Sequence, residues 1–317
     1  MKKYIVTGGA GFIGSALVRE LLKSDHCTVV AIDNLLSGKK SNLDGLGNRV
    51  TLFEADIRDY DAIRPVIEGA DVVFHLAAIP SVPRSIMDPV PSHDVNLNGM
   101  FNVYRAAAEG KVRRIVYAAS SSAYGDTLVL PKVETMTPNP KSPYAAQKLM
   151  GEYYAQVFSS CFGVESVSLR FFNVYGPRQD PNSAYSGILS IFMKCLIEKK
   201  SPTIFGDGEQ TRDFTYVEDV AGLVIKASKA DAAVCSGKVY NAGNGGRYSL
   251  NYIWDFLQKN EGLSLPANYG PPRAGDVRDS QADTTAAVRD LGHAPRFTFE
   301  EGLKLTLEWY KRDAGVV

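Results

Sequence analysis

Short apolar runs alternate with longer amphipathic stretches along most of the chain. The runs are rich in β-branched residues and nearly continuous, which is typical of strands buried on both faces of a sheet. Stretches with helical spacing lie between them, for example at residues 12–23, 98–109 and 144–160. We therefore predict strands at residues 4–6, 28–32, 50–53, 72–76, 115–118, 166–172 and 239–241. This repetition predicts an α/β fold, a doubly wound parallel sheet with right-handed crossovers and helices on both faces.

The rhythm changes after about Gly176, where glycine and proline become more frequent. The segments GDG at 206–208, GNGG at 243–246 and GPP at 270–272 predict a smaller, loop-rich α/β lobe built from discontinuous segments. We expect residues 1–176 to form the larger domain, with segments near 213–245 returning to it. Residues 177–317 should form mainly the smaller lobe, which we expect to pack against the larger domain because no linker separates them.

Composition excludes several classes of protein. The chain has 35 Lys+Arg and 35 Asp+Glu, and this zero net charge gives no sign of a nucleic-acid partner. No apolar stretch approaches the roughly 20 residues that a membrane helix needs. The four cysteines are far apart and have no nearby histidine pair, which disfavours both a disulfide scaffold and a metal site. No signal peptide is recognisable, so we expect a cytoplasmic protein that binds neither nucleic acid nor membrane.

Three glycines follow the first predicted strand at a spacing that suits a phosphate group. Gly8, Gly11 and Gly14 allow a tight turn close to a pyrophosphate, and the helix that begins at Phe12-Ile13 directs free N–H groups toward it. Asp33 ends the next strand, where its carboxylate can accept hydrogen bonds from an adenosine ribose and would repel a 2′-phosphate. We therefore predict a Rossmann-type domain that binds NAD in preference to NADP.

The end of the third predicted strand extends this site. Asp56 can place a carboxylate on the adenine amino group, and Ile57 can place an apolar side chain on the ring. We also include Asn34, which follows Asp33, among the cofactor-binding residues.

A second group of residues has the character of a reaction centre. Tyr144 and Lys148 are four residues apart, on one face of a predicted helix. A nearby ammonium favours the phenolate and lowers the tyrosine pKa, so that Tyr144 can act as a base. Ser120, Ser121 and Ser122 form a run of three serines at a strand end, and one of their hydroxyls can hydrogen-bond the substrate oxygen. A Tyr-x-x-x-Lys pair is often only packing, and it gains weight here because it follows a dinucleotide-binding pattern.

These motifs together resemble a known family. TGGAGFIG at 7–14, HLAA at 75–78, SSSAYG at 120–125 and YAAQK at 144–148 are similar to those of the extended short-chain dehydrogenase/reductases. RFFNVYGPRQ at 170–179, RDFTYVEDV at 212–220 and RAGDVR at 273–278 resemble its nucleotide-sugar branch. Within that branch the chain is most similar to UDP-hexose 4-epimerases, especially those that accept UDP-N-acetylhexosamines.

The resemblance implies a reaction, a cofactor and a partner. The reaction is 4-epimerisation of UDP-N-acetylglucosamine/UDP-N-acetylgalactosamine, and also of UDP-glucose/UDP-galactose, through a 4-keto intermediate. Tyr144 would remove the proton from the 4-hydroxyl, Lys148 would lower its pKa, and Ser120 would bind the 4-oxygen. NAD would be held permanently, and the chain would form a homodimer through a four-helix bundle.

The resemblance also assigns further contacts, and it leaves alternatives open. The implied cofactor contacts include Leu76, Ala77 and Ala78, and the implied substrate contacts are Ser81, Arg84, Ser120, Tyr144, Asn173, Ile204, Phe205, Arg212, Arg273, Asp276 and Ser280. Ser280 stands where epimerases restricted to plain hexoses have a tyrosine, and a small residue there would admit an acetamido group. The alternatives are another UDP-sugar conversion, such as UDP-glucuronate 4-epimerisation, and a catalytically silent NAD-binding regulator. Dehydration is disfavoured because serines follow Ser120 where dehydratases have an acid.

Overall fold

The structure is a computed structural model that describes residues 1–24, 26–181, 187–272 and 278–316. Its strands are β1 (Lys2–Thr7), β2 (Cys27–Asp33), β3 (Val50–Glu54), β4 (Val72–His75), β5 (Arg114–Ser120), β6 (Glu165–Phe171), β7 (Asn173–Tyr175), β8 (Thr203–Phe205), β9 (Thr211–Arg212), β10 (Phe214–Tyr216), β11 (Lys238–Ala242), β12 (Tyr248–Ser249) and β13 (Asn268–Gly270). Its α-helices are α1 (Phe12–Ser24), α2 (Tyr60–Ile67), α3 (Val82–Met87), α4 (Pro89–His93), α5 (Met100–Glu109), α6 (Pro143–Phe162), α7 (Ile188–Ile197), α8 (Val217–Lys229), α9 (Ala232–Cys235), α10 (Leu250–Asn260), α11 (Thr285–Leu291) and α12 (Phe299–Asp313).

A seven-stranded parallel sheet forms the centre of the fold, in the order β11-β6-β5-β4-β1-β2-β3. All seven strands predicted from the sequence are confirmed to within two residues at each end. The order changes direction between β1 and β4, so a crevice opens there at the carboxyl ends of the strands. The predicted doubly wound α/β class is therefore confirmed.

Helices cover both faces of this sheet, as the continuous apolar runs require. Helices α1, α8 and α11 pack on one face, where Leu17 and Val220 belong to the same buried cluster. Helices α2, α5 and α6 pack on the other, around residues such as Ile63 and Phe158. The central strands β4 and β5 are therefore fully buried between two helical layers, whereas the edge strand β3 is only partly covered.

Helix α6 carries the clearest sequence signals for its ends. Ser142 accepts a hydrogen bond from the backbone N–H of Ala145, Pro143 occupies the first position, and Gly163 ends the helix at a φ of +69°. The helix predicted at 98–109 differs at its start. A π-helical turn over Asp94–Gly99 leads directly into α5, and such turns have no distinct periodicity in the sequence.

A smaller group of elements lies over the carboxyl edge of the large sheet, and we call it the cap. It consists of three two-stranded sheets, β7–β10, β8–β13 and β9–β12, with helices α7, α10 and α12. Its core contains Phe192, Trp254 and Phe299, all 2% exposed or less. After the cap strands β8–β10 the chain returns to the large sheet, where α8 packs on α1 and β11 pairs with β6.

Candidate functional site

A single large cavity holds nearly all the site residues predicted from the sequence. Its volume is about 1960 Å³, whereas ordinary ligand pockets are roughly 300–1000 Å³, so it has room for two sizeable ligands together. The predicted residues that line it are Gly8, Gly11, Phe12, Ile13, Gly14, Asp33, Asn34, Asp56, Ile57, Leu76, Ala77, Ala78, Ser81, Arg84, Ser120, Tyr144, Lys148, Asn173, Phe205, Arg212 and Ser280.

One of the predicted substrate contacts that the structure describes is not part of this lining. Ile204 is fully buried in the core of the cap, because side chains alternate along β8 and only Thr203 and Phe205 face the cavity. Its assignment to a bound uracil is therefore corrected to a packing role. Arg273 and Asp276 lie outside the described residues.

The glycine-rich loop leaves room for a ligand through its lack of side chains. Gly8 has a φ of +70°, and a Cβ added to it would lie 2.9 Å from the backbone nitrogen of Ala77. A Cβ on Gly14 would overlap the carbonyl of Gly8. Backbone therefore packs against backbone where β1 turns into α1, and the first N–H groups of α1 face the cavity. This cradle fits the diphosphate of a dinucleotide.

Asp33 is fixed at the end of β2 with its carboxylate partly engaged. It accepts hydrogen bonds of 2.9 Å from the backbone N–H groups of Ala10 and Leu35, one on each oxygen. Each carboxylate oxygen has a second lone pair, so the group can still accept two ribose hydroxyls. The geometry therefore suits the adenosine ribose of a dinucleotide.

Asp56 and its neighbours form a charged rim beside this ribose position. Arg58 donates to both carboxylate oxygens of Asp56, at 2.9–3.0 Å, and Asn34 donates to one of them at 2.8 Å. The hydrogen bond from Arg58 is the main reason that the pKa of Asp56 falls to about 2. The carboxylate is thus ionised at neutral pH, while the adjacent Ile57 is buried and offers an apolar surface.

The predicted reaction centre is assembled where β5 and α6 meet. Ser120 ends β5, and its Oγ accepts hydrogen bonds from the backbone N–H and the hydroxyl of Ser122. Tyr144 lies in the first turn of α6, where its backbone N–H donates to Ser85 of α3. Ser120 lies close enough to the Tyr144 side chain to lower the pKa of that tyrosine. Lys148 lies one turn further along α6, and its Nζ donates to the carbonyl of Ala118 at 2.8 Å.

The ionisation of these groups differs from the expectation based on spacing. Burial raises the pKa of Tyr144, and the neighbouring Ser120 opposes the rise. Burial lowers the pKa of Lys148 to about 7. Burial therefore opposes the lowering of the Tyr144 pKa that its spacing from Lys148 predicted.

The cap and the following segment supply polar groups at the other end of the cavity. Arg212 donates to the backbone carbonyls of Thr211 and Arg278, at 3.0 and 2.7 Å. Asn173 donates to the carbonyl of Asp213 at 3.1 Å. Phe205 presents its ring from β8. A cation, an amide and an aromatic face are groups that suit a diphosphate and a flat base.

Comparison with known proteins identifies this arrangement. The sequence profile of the NAD dependent epimerase/dehydratase family matches residues 4–243.

The chain belongs to that family.

A UDP-glucose 4-epimerase from Mycolicibacterium smegmatis is 37% identical over 311 residues, covering 97% of this chain and 98% of that protein. Two solved structures are similar in fold along the whole chain, and each covers 98% of this chain and 99% of its own. One is a UDP-N-acetylglucosamine 4-epimerase from Methanobrevibacter ruminantium in complex with UDP-N-acetylmuramic acid, with a TM-score of 0.93 and 34% identity. The other is a UDP-glucuronic acid 4-epimerase from Bacillus cereus in complex with UDP-glucuronic acid and NAD, with a TM-score of 0.90 and 33% identity. This protein is accordingly an NAD-dependent UDP-sugar 4-epimerase, and NAD is its cofactor.

Sequence reasoning missed one cation of the epimerase. Arg178 lines the cavity at a φ of +71°, and within the described residues its guanidinium makes no hydrogen bond or ion pair. Burial lowers its pKa, and the nearby charge of Arg19 lowers it further. An unpaired, half-buried arginine in a strained backbone position is typical of a ligand contact. Arg178 could have been found from the sequence, because it belongs to the motif at 170–179, in which we predicted only Asn173 as a ligand contact.

Membrane-spanning helices and metal sites were searched for among the residues that the structure describes. Its helices include none that is long and apolar enough to cross a membrane. No group of three or more His, Cys, Asp or Glu side chains is arranged to hold a metal ion within the same residues.

Proposed function

We propose that this enzyme 4-epimerises UDP-N-acetylglucosamine and UDP-N-acetylgalactosamine, and that it also accepts UDP-glucose and UDP-galactose. The observation that carries the proposal is the position of Ser280, a small residue on the cavity wall.

Ser280 is held by its neighbours and does not simply face solvent. Its backbone N–H donates to the carbonyl of Thr211 at 3.1 Å, and its Oγ accepts from the backbone N–H of Asp213 at 3.3 Å. The side chain of Asn173 approaches the same oxygen at 3.5 Å. A tyrosine on this fixed backbone would project into the cavity, whereas serine leaves space for an N-acetyl group beside the sugar.

Proton transfer in the proposed mechanism belongs to Tyr144. Its phenolic oxygen takes the proton from the 4-hydroxyl of the sugar and returns it to the epimerised product. Ser120 binds the same 4-oxygen. Lys148 stabilises the phenolate when its ammonium is charged.

When bound, NAD would supply reversible oxidation at C4 and the positive charge of its nicotinamide ring, which would offset the raised pKa of Tyr144. The glycine-rich loop and Asp33 would hold its diphosphate and ribose, and Arg178 offers the diphosphate a cation. Arg212, Asn173 and Phe205 would anchor the UDP while the sugar turns over.

We also propose that the chain forms a homodimer through α5 and α6. The only charged side chains of α6 are Lys148 and Glu152, and both are buried, so its outer surface carries no charge. That surface exposes Met150, Tyr153 and Val157, which are about 45% exposed and lie on one helical stripe. A helix that is uncharged on its outer face is typically covered by a partner. A second copy offers the matching surface, in accord with the predicted four-helix bundle.

One observation favours a second candidate substrate. The guanidinium of Arg84 lines the cavity and makes no hydrogen bond or ion pair within the described residues. A free cation can accept the carboxylate of UDP-glucuronate, which is also the ligand of the Bacillus cereus neighbour. The test must therefore include this sugar.

The experiment assays purified enzyme on UDP-N-acetylglucosamine, UDP-glucose and UDP-glucuronate, with the products resolved by NMR. The variant Ser280→Tyr should lose turnover of the N-acetylated pair and keep turnover of the plain pair, because the effect is steric. Equal loss on both pairs, or no loss, would show that Ser280 does not set sugar size. If UDP-glucuronate is the sugar turned over, the second candidate replaces the first.

A further inference from the structure

A row of polar and aromatic side chains crosses the sheet beneath α6. Thr7 of β1, His75 of β4 and Tyr117 of β5 are direct partners in the strand register, and all three are at most 1% exposed. Thr7 Oγ lies 2.7 Å from His75 Nδ1, and the imidazole stacks on the Tyr117 ring with centroids 5.7 Å apart. The rest of this sheet face is mostly aliphatic. Because buried polar groups are unfavourable unless they are bonded, a row of them indicates a role beyond packing.

The row ends at Lys148, which contacts Tyr117 at two points. Its Nζ lies 5.1 Å from the centroid of the Tyr117 ring, over the face. The Tyr117 hydroxyl donates to the backbone carbonyl of Lys148 at 3.4 Å. A cation over an aromatic face is attracted by the ring, and more strongly where water is excluded. The Tyr117 ring therefore attracts the Lys148 ammonium, and the Tyr117 hydroxyl binds the backbone of α6 at the same residue.

Helix α6 has a glycine at the place where Tyr117 reaches it. A Cβ added to Gly151 would overlap the hydroxyl and ring of Tyr117. Glycine weakens the interior of a helix, so its presence here is explained by the space that Tyr117 requires.

We propose that Tyr117 is the positioning residue of the Lys148 ammonium, and that His75 and Thr7 hold its ring in place. This inference rests on the proposed role of Lys148 as the partner of Tyr144. Thr7 Oγ1 accepts a hydrogen bond from the N–H of Ala77 at 3.3 Å and forms a second hydrogen bond with His75 Nδ1. Burial keeps the pKa of His75 near 3, so the imidazole is neutral at neutral pH and spares the ammonium a like charge.

Besides its hydrogen bond to the carbonyl of Ala118, the Lys148 ammonium lies over the Tyr117 ring, and the charged and titratable groups around it are neutral or paired. On α6 itself, Tyr144 precedes it by one turn and Glu152 follows by one turn. Glu152 is paired at both oxygens with Arg170 of β6, at 2.9 and 2.7 Å, which cancels its charge. Tyr104 of α5 is buried nearby, and burial raises its pKa, so it is neutral.

The test measures the pKa of the Lys148 ammonium by NMR titration of the NAD-bound enzyme, with the signal assigned by its loss in Lys148→Met. Tyr117→Leu should lower this pKa by about one unit, in line with the strength of a buried cation–aromatic contact. Tyr117→Phe keeps the ring and should leave the pKa within a few tenths of the wild-type value. The alkaline limb of the kcat–pH profile should move by the same amount in Tyr117→Leu, while KM for the UDP-sugar stays nearly constant.

A matched control and a second variant separate this role from packing. Phe158→Leu shortens another buried ring of the same core that does not contact Lys148, and it should leave the Lys148 pKa unchanged. Gly151→Ala displaces the Tyr117 ring without removing it, and it should lower the Lys148 pKa even if Tyr117→Leu does not fold. An unchanged Lys148 pKa in both Tyr117→Leu and Gly151→Ala, or in Gly151→Ala alone if the other does not fold, would overturn the inference. Full activity of Tyr144→Phe would instead overturn the proposed mechanism, and the NMR result would stand apart from it.

Discussion

Tyr144 shows how far one residue depends on its surroundings for its chemistry. Its burial works against the phenolate, and within the protein the neighbouring Ser120 is the compensating group. The residue types at 120, 144 and 148 were predictable from the sequence because strand-end and helix-face positions follow from periodicity. Their pKa values were not, because desolvation depends on how deeply α6 packs on β5. The assignment of Ile204 was wrong for a similar reason, since the face that β8 turns toward the cavity depends on its pairing.

Replacing Tyr144 by Phe should lower kcat by about 10²–10⁴, the usual contribution of a general acid–base. The affinity for the UDP-sugar should change little, because the proposed UDP anchors lie in the cap and the segment around Ser280. Steady-state kinetics and binding calorimetry on the NAD-loaded enzyme measure the two effects. The control is Tyr153→Phe, an exposed tyrosine on the same helix, which should keep the wild-type rate. A Tyr144→Phe rate above a tenth of the wild-type rate would mean that another base operates.

Helix α6 serves two surfaces at once. Its inner face carries Tyr144 and Lys148 to the cavity and pairs Glu152 with Arg170 of β6, whereas its outer face is uncharged and partly apolar. The ends of this helix were predictable, because Ser-Pro and Gly are strong start and stop signals. The π-helical turn before α5 was not predictable, because a π-helical turn has no periodicity that distinguishes it from an α-helix in the sequence.

The proposed dimer surface can be tested with one charge. Val157→Glu places a carboxylate on the apolar stripe of α6, where a partner would bury it, so we expect monomers at concentrations where the wild type is dimeric. Light scattering coupled to size exclusion measures the mass. Val288→Glu makes the same change on the half-exposed outer face of α11 and should leave the mass unchanged. A wild-type mass in Val157→Glu as well would argue against this surface as the interface.

At the scale of the molecule, a buried histidine of the large sheet makes the free energy of unfolding depend on pH. The row under α6 places a buried histidine in the core, and burial lowers its pKa from 6.5 to about 3. Below pH 6.5 the unfolded chain binds a proton at this position that the folded chain does not. The histidine therefore costs no stability above pH 6.5, and stability is lost as the pH falls from 6.5 toward 3.

Replacing His75 by Gln should remove this part of the acid sensitivity. Between pH 6.5 and pH 5 the free energy of unfolding of the wild type should fall by about 2 kcal/mol more than that of the variant. Denaturant titrations at both pH values, at one fixed NAD concentration, give the comparison. His26→Gln changes an exposed histidine and should keep the wild-type slope. Parallel slopes for wild type and His75→Gln would show that His75 is not neutral in the folded protein.

The return of the chain to the large sheet has a consequence for its synthesis. Strand β11 pairs with β6, but about 70 residues separate them, and part of the cap, β7 to β10 with α7, is encoded in between. A ribosome adds roughly 5–20 residues per second, so the nascent chain presents β6 as an open edge for several seconds before its neighbour emerges. An unpaired strand edge is a template for joining other chains, and five of the seven residues of β6 are buried in the finished protein. Because β11 follows β6 so late in the sequence, the half-translated protein exposes β6 and is a natural client for chaperones.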